Sequence, residues 1–303
     1  MSTEPLLAPE FLRELEALRK KLEVKARSGA SGEHIARARG GSAEFQEHRA
    51  YAPGDDLRRV DWLAYARTGE PVVKLFRREE DVLVELLVDA SASMSFGQPT
   101  KLAVTQRLAA ALGYVALAGS QRTQLFVTGN GATADAPRAA GAFARVSPTR
   151  RGRGGLPALL RDLSALSGAG RTDLTASLDQ LLARAPRPGL LVVFSDFFDS
   201  GEVLRALGRA RARGHDVALV QVLDRGELDP TLEGDYALED SESHEVVEMT
   251  LDASAVEAYL ARLTGLIEEL RGFARKNGAS YTRVVTDEPL EEAVKRLISR
   301  SVD

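Results

Sequence analysis

The sequence predicts an α/β fold: a doubly wound, mostly parallel sheet with an N-terminal helical and β extension. Three observations predict it. From about Leu83 onward, apolar runs of strand length alternate with segments of helical period. Several of those runs are continuously apolar, as strands covered on both faces are. Two of them end in carboxylates and hydroxyls, at the strand ends where such sheets take their ligands.

The N-terminal segment comes first. Glu10–Lys25 carries Phe11, Leu15, Leu18 and Leu22 on one stripe and is expected to form a helix that packs on its own domain. A Gly- and Arg-rich loop runs from Gly29 to Gly41. Tyr51-Ala52-Pro53-Gly54-Asp55-Asp56 is a turn, and Val72–Phe76, after Pro71, is a strand. Residues 1–80 are expected to pack as an extension on a main domain of residues 81–303, in one compact unit.

The main-domain strands are Leu83–Val88, Gln124–Thr128, Leu190–Phe194, Val217–Leu223 and Tyr281–Val285. Lys101–Ala118 is a helix with Leu108, Leu112 and Val115 on one face. Thr172–Ala185 repeats Leu174, Leu178 and Leu181. Val203–Arg213 buries Leu204 and Leu207 and exposes Arg205, Arg209 and Arg213. Ala255–Lys276 stops at Asn277-Gly278, a good C-terminal cap. An acidic segment from Asp224 to Glu248 interrupts the alternation. Tyr236–Leu238 and Val246–Met249 within it predict a short surface hairpin. No internal repeat is present.

Composition excludes several functions. The 303 residues are 44% hydrophobic and 28% charged, ordinary for a globular protein. A net charge of -4 gives no global drive toward nucleic acid. Without cysteine there is no disulfide, thiol or Cys-based zinc chemistry, and His34, His48, His215 and His244 show no zinc spacing. No apolar run is long enough to span a bilayer, and the first residues lack a signal core, so the expected location is cytoplasmic.

Asp89-Ala90-Ser91-Ala92-Ser93 follows directly on the first main strand. A carboxylate and two hydroxyls, two residues apart, form an oxygen-only set suited to a hard cation such as Mg²⁺. A Ser-rich turn explains the same residues, and the pattern alone is weak. Thr172, after Gly170-Arg171, is placed to cap a helix, and capping alone accounts for it. Ser195-Asp196 ends a second strand. Together Asp89, Ser91, Ser93, Thr172 and Asp196 bring two carboxylates and three hydroxyls to one sheet edge.

Other signals carry less. Gly129-Asn130-Gly131 follows a strand but lacks the helix and acid of a dinucleotide site, and Gly152-Arg153-Gly154-Gly155 lacks the Lys of a phosphate loop. No G-x-S-x-G elbow exists. Arg145, Arg150, Arg151 and Arg153 are expected in a solvated loop; meeting an acidic partner or a phosphate is the alternative. Asp55, Asp56 and Asp61 read as turn carboxylates, with a nuclease-like cluster as the competing reading. Trp62 and Tyr65 are core or interface aromatics.

Asp89-x-Ser91-x-Ser93, Thr172 and Ser195-Asp196 resemble the metal-ion-dependent adhesion site (MIDAS) of von Willebrand factor A domains, a Rossmann-like fold. The stretch from Glu44 to Trp62, with Ala66-Arg67-Thr68, resembles the signature of the DUF58 family. The resemblance covers about residues 10 to 300. It implies a von Willebrand factor A-like domain over 81–303 that binds Mg²⁺ or Mn²⁺. Ser91 and Ser93 would be direct ligands, Asp89 direct or through water, Thr172 switching between the two, and Asp196 usually an outer partner. An Asp or Glu carboxylate of a protein partner would complete the octahedron.

On that resemblance the chain is a protein-binding module with no catalytic residue, an adaptor or chaperone component beside a MoxR-type AAA+ ATPase. Neither nucleic acid nor membrane is an expected partner, since the membrane helices of longer relatives are lacking here. The competing reading is a Mg²⁺-dependent phosphohydrolase or nuclease using Asp89 and Asp196, with Asp55 and Asp56. The sequence offers no convincing general base for it.

Overall fold

The computed structural model describes residues 6–17, 43–78, 82–129, 143, 145–184, 187–198, 202–230, 234–239 and 246–300. The chain divides into two compact units, Ser31–Asp81 and the remainder, Met1–Ala30 with Val82–Asp303. The first helix, α1 (residues 9–17), thus belongs with the larger unit, and its Phe11 and Leu15 are buried in that unit's core. Leu18, Leu22 and the Gly29–Gly41 loop lie outside the described residues.

The small unit pairs β1 (Ala43–Ala50) antiparallel with β2 (Val72–Arg78), from Ala43 opposite Arg78 to Ala50 opposite Val72. α2 (Trp62–Thr68) lies between them in sequence. Asp61 caps it, its Oδ1 accepting from the N–H groups of Leu63 and Ala64 at 3.1 Å each. His48 Nε2 lies 3.0 Å from Asp61 Oδ2. Asp55 takes a bidentate bond from Arg49 and the Ala52 N–H, and that backbone bond, then Arg49, holds its carboxyl below the usual range. The three aspartates are therefore turn and cap residues here. Trp62 and Leu63 are exposed, so Trp62 is no core residue.

The large unit is built on a sheet of order β11-β8-β7-β3-β4-β5 with β6 also on β4. Its members are β3 (Leu83–Asp89), β4 (Arg122–Thr128), β5 (Arg145–Val146), β6 (Arg150–Arg151), β7 (Leu190–Ser195), β8 (Asp216–Leu223) and β11 (Ser280–Val285). The five long strands are parallel; β5 and β6 are antiparallel to β4. Side-chain alternation divides the core into two layers. Leu86, Val88, Val192, Phe194 and Val220 face α3 (Lys101–Ala118), α4 (Leu156–Ser164) and α9 (Leu290–Arg300). Leu87, Leu191, Val193 and Leu219 face α5 (Leu174–Arg184), α6 (Val203–Ala212) and α8 (Ala253–Asn277).

Two smaller features complete it. α7 (Arg225–Leu228) follows β8, and β9 (Gly234–Glu239) pairs antiparallel with β10 (Val246–Leu251) in the expected hairpin. The helix predicted over Thr172–Ala185 begins two residues later, because Asp173, not Thr172, caps it: Asp173 Oδ1 accepts from the Ala176 N–H at 2.7 Å. The Arg145–Arg153 loop is also corrected. Arg145 and Arg150 lie on β5 and β6 and pair with Asp162, while Arg153 pairs with Glu16 on α1. Among the described residues no helix is long and apolar enough to cross a membrane.

Candidate functional site

Strand parity assembles the site. Thr128, Asp89, Ser195 and Gln221 end or nearly end four adjacent strands. All four share the parity of Phe126, Leu87, Val193 and Leu219, so their side chains stand on the α5–α6–α8 face, at its carboxyl edge. This polar row caps an otherwise apolar layer. Every member is buried.

Asp89 is the centre. Its Oδ1 accepts from the Ser91 N–H at 3.0 Å and its Oδ2 from Ser195 Oγ at 2.7 Å. The backbone bond folds the chain into the 3₁₀ turn Ala92–Ser95, which brings Ser91 Oγ within 3.1 Å of Ser93 Oγ. Ser93 Oγ in turn donates to Asp196 Oδ2 at 2.8 Å. Burial first, and then the charge of Asp196, pushes the Asp89 carboxyl up from 3.8 to about 7. Its environment thus disfavours a bare negative charge.

Close backbone approach fixes the loops. Gly129 has φ +83°, and a Cβ there would sit 2.8 Å from the Ser91 nitrogen. Only glycine fits that conformation against that neighbour without strain. Ala169 N–H donates to Ala90 O at 3.0 Å and Ala92 N–H to Gly170 O at 2.9 Å, lacing the Thr172 loop to the Ser91 loop. Asp196 is held from behind by Gln221, whose Nε2 donates to the Asp196 carbonyl at 3.0 Å. Tyr281 OH donates to Gln221 Oε1 at 2.7 Å. Phe197 sits at φ +62°, a left-handed conformation costing roughly 1–3 kcal/mol for a bulky residue. Its N–H bond to Ser195 Oγ at 2.9 Å and the Phe198 N–H bond to Asp196 Oδ1 at 3.1 Å hold it there.

The structure brings Asp89, Ser91, Ser93 and Asp196 into one hydrogen-bonded chain. Thr172 stands beside it, tied instead to Thr128: the two Oγ1 atoms are 3.0 Å apart, and Thr128 continues to Ser177 Oγ at 2.8 Å.

Sequence reasoning missed the cation of the cluster. Lys101, the first residue of α3, is buried, with Nζ 2.7 Å from Asp196 Oδ2 and 2.6 Å from Glu227 Oε1. Burial alone would lower its pKa; Asp196 and Glu227 outweigh burial and raise it. The Phe198 ring lies 5.4 Å from the ammonium. Glu227 belongs to a capping box with Asp224, its Oε2 accepting from the Asp224 N–H at 2.7 Å. Two signals were readable. Lys101 lies on the stripe of Thr105 and Leu108, both buried, and Asp224-Arg225-Gly226-Glu227 has capping-box spacing. Among the described residues, no group of three or more His, Cys, Asp or Glu is arranged to hold a metal; the clustered donors are largely hydroxyls.

The profile described as "Protein of unknown function DUF58" matches residues 47–265. An uncharacterised protein of Mycobacterium tuberculosis is 31% identical over 300 residues, covering 96% of this chain and 90% of its own; one of Mycobacterium bovis matches equally. The chain belongs to the DUF58 family. Among solved structures, BatB from Bacteroides thetaiotaomicron aligns with TM-score 0.42 and 16% identity, over 72% of this chain and 98% of that one. The von Willebrand factor type A protein from Catenulispora acidiphila aligns with TM-score 0.38 and 13% identity, over 76% and 45%.

Proposed function

We propose that this member of the DUF58 family is a protein-binding module that joins a partner through a divalent cation, Mg²⁺ or Mn²⁺, at the carboxyl edge of its sheet. The observation that carries the reading is the setting of Asp89: a fully buried carboxylate beside Asp196, with two serine hydroxyls in line. Cis ligands about 2.1 Å from a Mg²⁺ ion lie about 3 Å apart. The 3.1 Å between Ser91 Oγ and Ser93 Oγ fits one edge of such an octahedron. Lys101 pairs with both Asp196 and Glu227, one ammonium against two carboxylates, and leaves Asp89 without an ammonium of its own among the described residues.

Ser91 and Ser93 would hold the ion directly, with Asp89 direct or through water. Asp196, already bonded to Ser93 and Lys101, would orient Ser93 from outside. Thr172 would have to exchange its Thr128 contact to reach the ion. The cation supplies a positive charge with open coordination, and a carboxylate side chain of a partner fits it. A MoxR-type AAA+ ATPase is the partner class the family resemblance suggests.

The test is retention of a purified MoxR-type ATPase on the immobilised protein. Retention in Mg²⁺, loss in chelator and loss with Asp89→Ala plus Ser91→Ala support the reading. Retention unaffected by chelator, or Mg²⁺-dependent phosphoester hydrolysis that disappears in the double variant, contradicts it.

A further inference from the structure

The far edge of the sheet holds a second feature, remote in sequence from the Asp89 loop. β11 ends the strand order, and among the described residues only β8 pairs with it. A cavity of about 650 Å³ beside it is lined by the consecutive residues Ser280, Tyr281, Thr282 and Arg283. α8 walls the cavity with Arg271 and Arg275, and α9 walls it with Arg296. These helices cover opposite faces of the sheet, so the cavity is a groove along an open strand edge.

Its charge is one-sided. Four arginines line it against a single acid, Glu268. Glu268 is engaged by Arg271 at 2.8 Å, and Arg296 by Glu288 at 2.5 Å. Arg275 and Arg283 have no acidic partner among the described residues. Arg296 also donates to the Arg283 carbonyl at 3.3 Å, a long bond that an incoming N–H can replace. An open edge invites another strand, and edge charges choose which one. A second copy of β11 would bring like charges together; an acidic strand would not.

We propose that the groove between α8 and α9 binds an extended acidic peptide of a partner protein, added as a strand to the open edge of β11. Four lining residues at about 3.3 Å each give room for roughly four peptide residues, and side chains on one face of that strand meet Arg271 and Arg275. The site is independent of the metal reading.

The experiment is fluorescence anisotropy in chelator with a labelled decapeptide of alternating Glu and Thr. Three comparisons accompany it: a Lys-for-Glu peptide, a backbone N-methylated peptide of the same charge, and inorganic phosphate as competitor. The account expects 1:1 binding, at least about 10-fold weaker for Arg275→Glu plus Arg283→Glu, and about 10-fold weaker for the N-methylated peptide. The Lys peptide should not bind, and Asp89→Ala plus Ser91→Ala should bind as wild type does. Arg275→Gln plus Arg283→Gln, melting as wild type does, should also bind more weakly. Equal binding of the N-methylated peptide, full displacement by about 10 mM phosphate at moderate salt, or unchanged affinity in the arginine variants would overturn the proposal.

Discussion

Lys101→Met is the substitution that most strains the described cluster. Methionine replaces the lysine stem at similar volume but removes the ammonium. Asp196 and Glu227, which lie 2.7 and 2.6 Å from that nitrogen, are left without it in a buried site. Removing one partner of a buried ion pair costs about 3–5 kcal/mol. At roughly 2–4 °C per kcal/mol for a domain of this size, the melting temperature should fall by about 6–20 °C. Urea unfolding at pH 8 measures the loss. Burial raises the Glu227 carboxyl even with Lys101 present. A carboxyl raised in the fold stabilises it below the unfolded value of 4.5 and loses that contribution as pH climbs through the folded value. The deficit of Lys101→Met should therefore shrink near pH 5, and Glu227→Gln added to it should recover part of the loss at pH 8. A variant within about 0.5 kcal/mol of wild type at pH 8 would refute the argument, since that is the range of a surface change.

Other expectations follow from the same geometry. Asp173→Ala should lose about 1 kcal/mol of stability with its helix cap, while Thr172→Val should lose less in urea unfolding but weaken metal uptake by calorimetry. Gly129→Ala places a Cβ 2.8 Å from the Ser91 nitrogen at φ +83° and should cost at least about 1–2 kcal/mol; an unchanged denaturation midpoint would contradict the packing of that loop. Burial, then Glu227 and Asp196, pushes the Tyr259 phenol up to about 12. Because the unfolded phenol ionises first, its contribution to stability is complete below pH 10 and falls between about 10 and 12. Absorbance titration at the tyrosinate band should show a late phenol that moves earlier in Glu227→Gln.

Much of this was legible because buried parallel strands announce themselves as continuous apolar runs. All five main strands lie where those runs stand, each within two residues of its predicted bounds. β1 escaped because Glu44, Gln46, Glu47 and Arg49 hide it; its place depends on pairing with β2. β5 and β6 are two residues each and owe their existence to the edge of β4. In the site, the strand-end carboxylates were readable because parity and strand position are local properties. Lys101 joins Asp196 and Glu227 across 95 and 126 residues, a contact created by tertiary packing. The Thr172 cap was misplaced by one residue because Thr172 and Asp173 are both good caps, and the Thr128 hydroxyl draws Thr172 inward.

Uptake of a divalent cation by the Asp89 cluster is the decisive property. Isothermal titration of Mg²⁺ and Mn²⁺ into the metal-free chain, with thermal melts at saturation, measures this directly. The account predicts one ion per chain. Stability should rise by about 2.7 kcal/mol at 100 times the dissociation constant. Both effects should be absent from Asp89→Ala plus Ser91→Ala. No heat and no melting shift in the wild type, or the same uptake in the double variant, would contradict it.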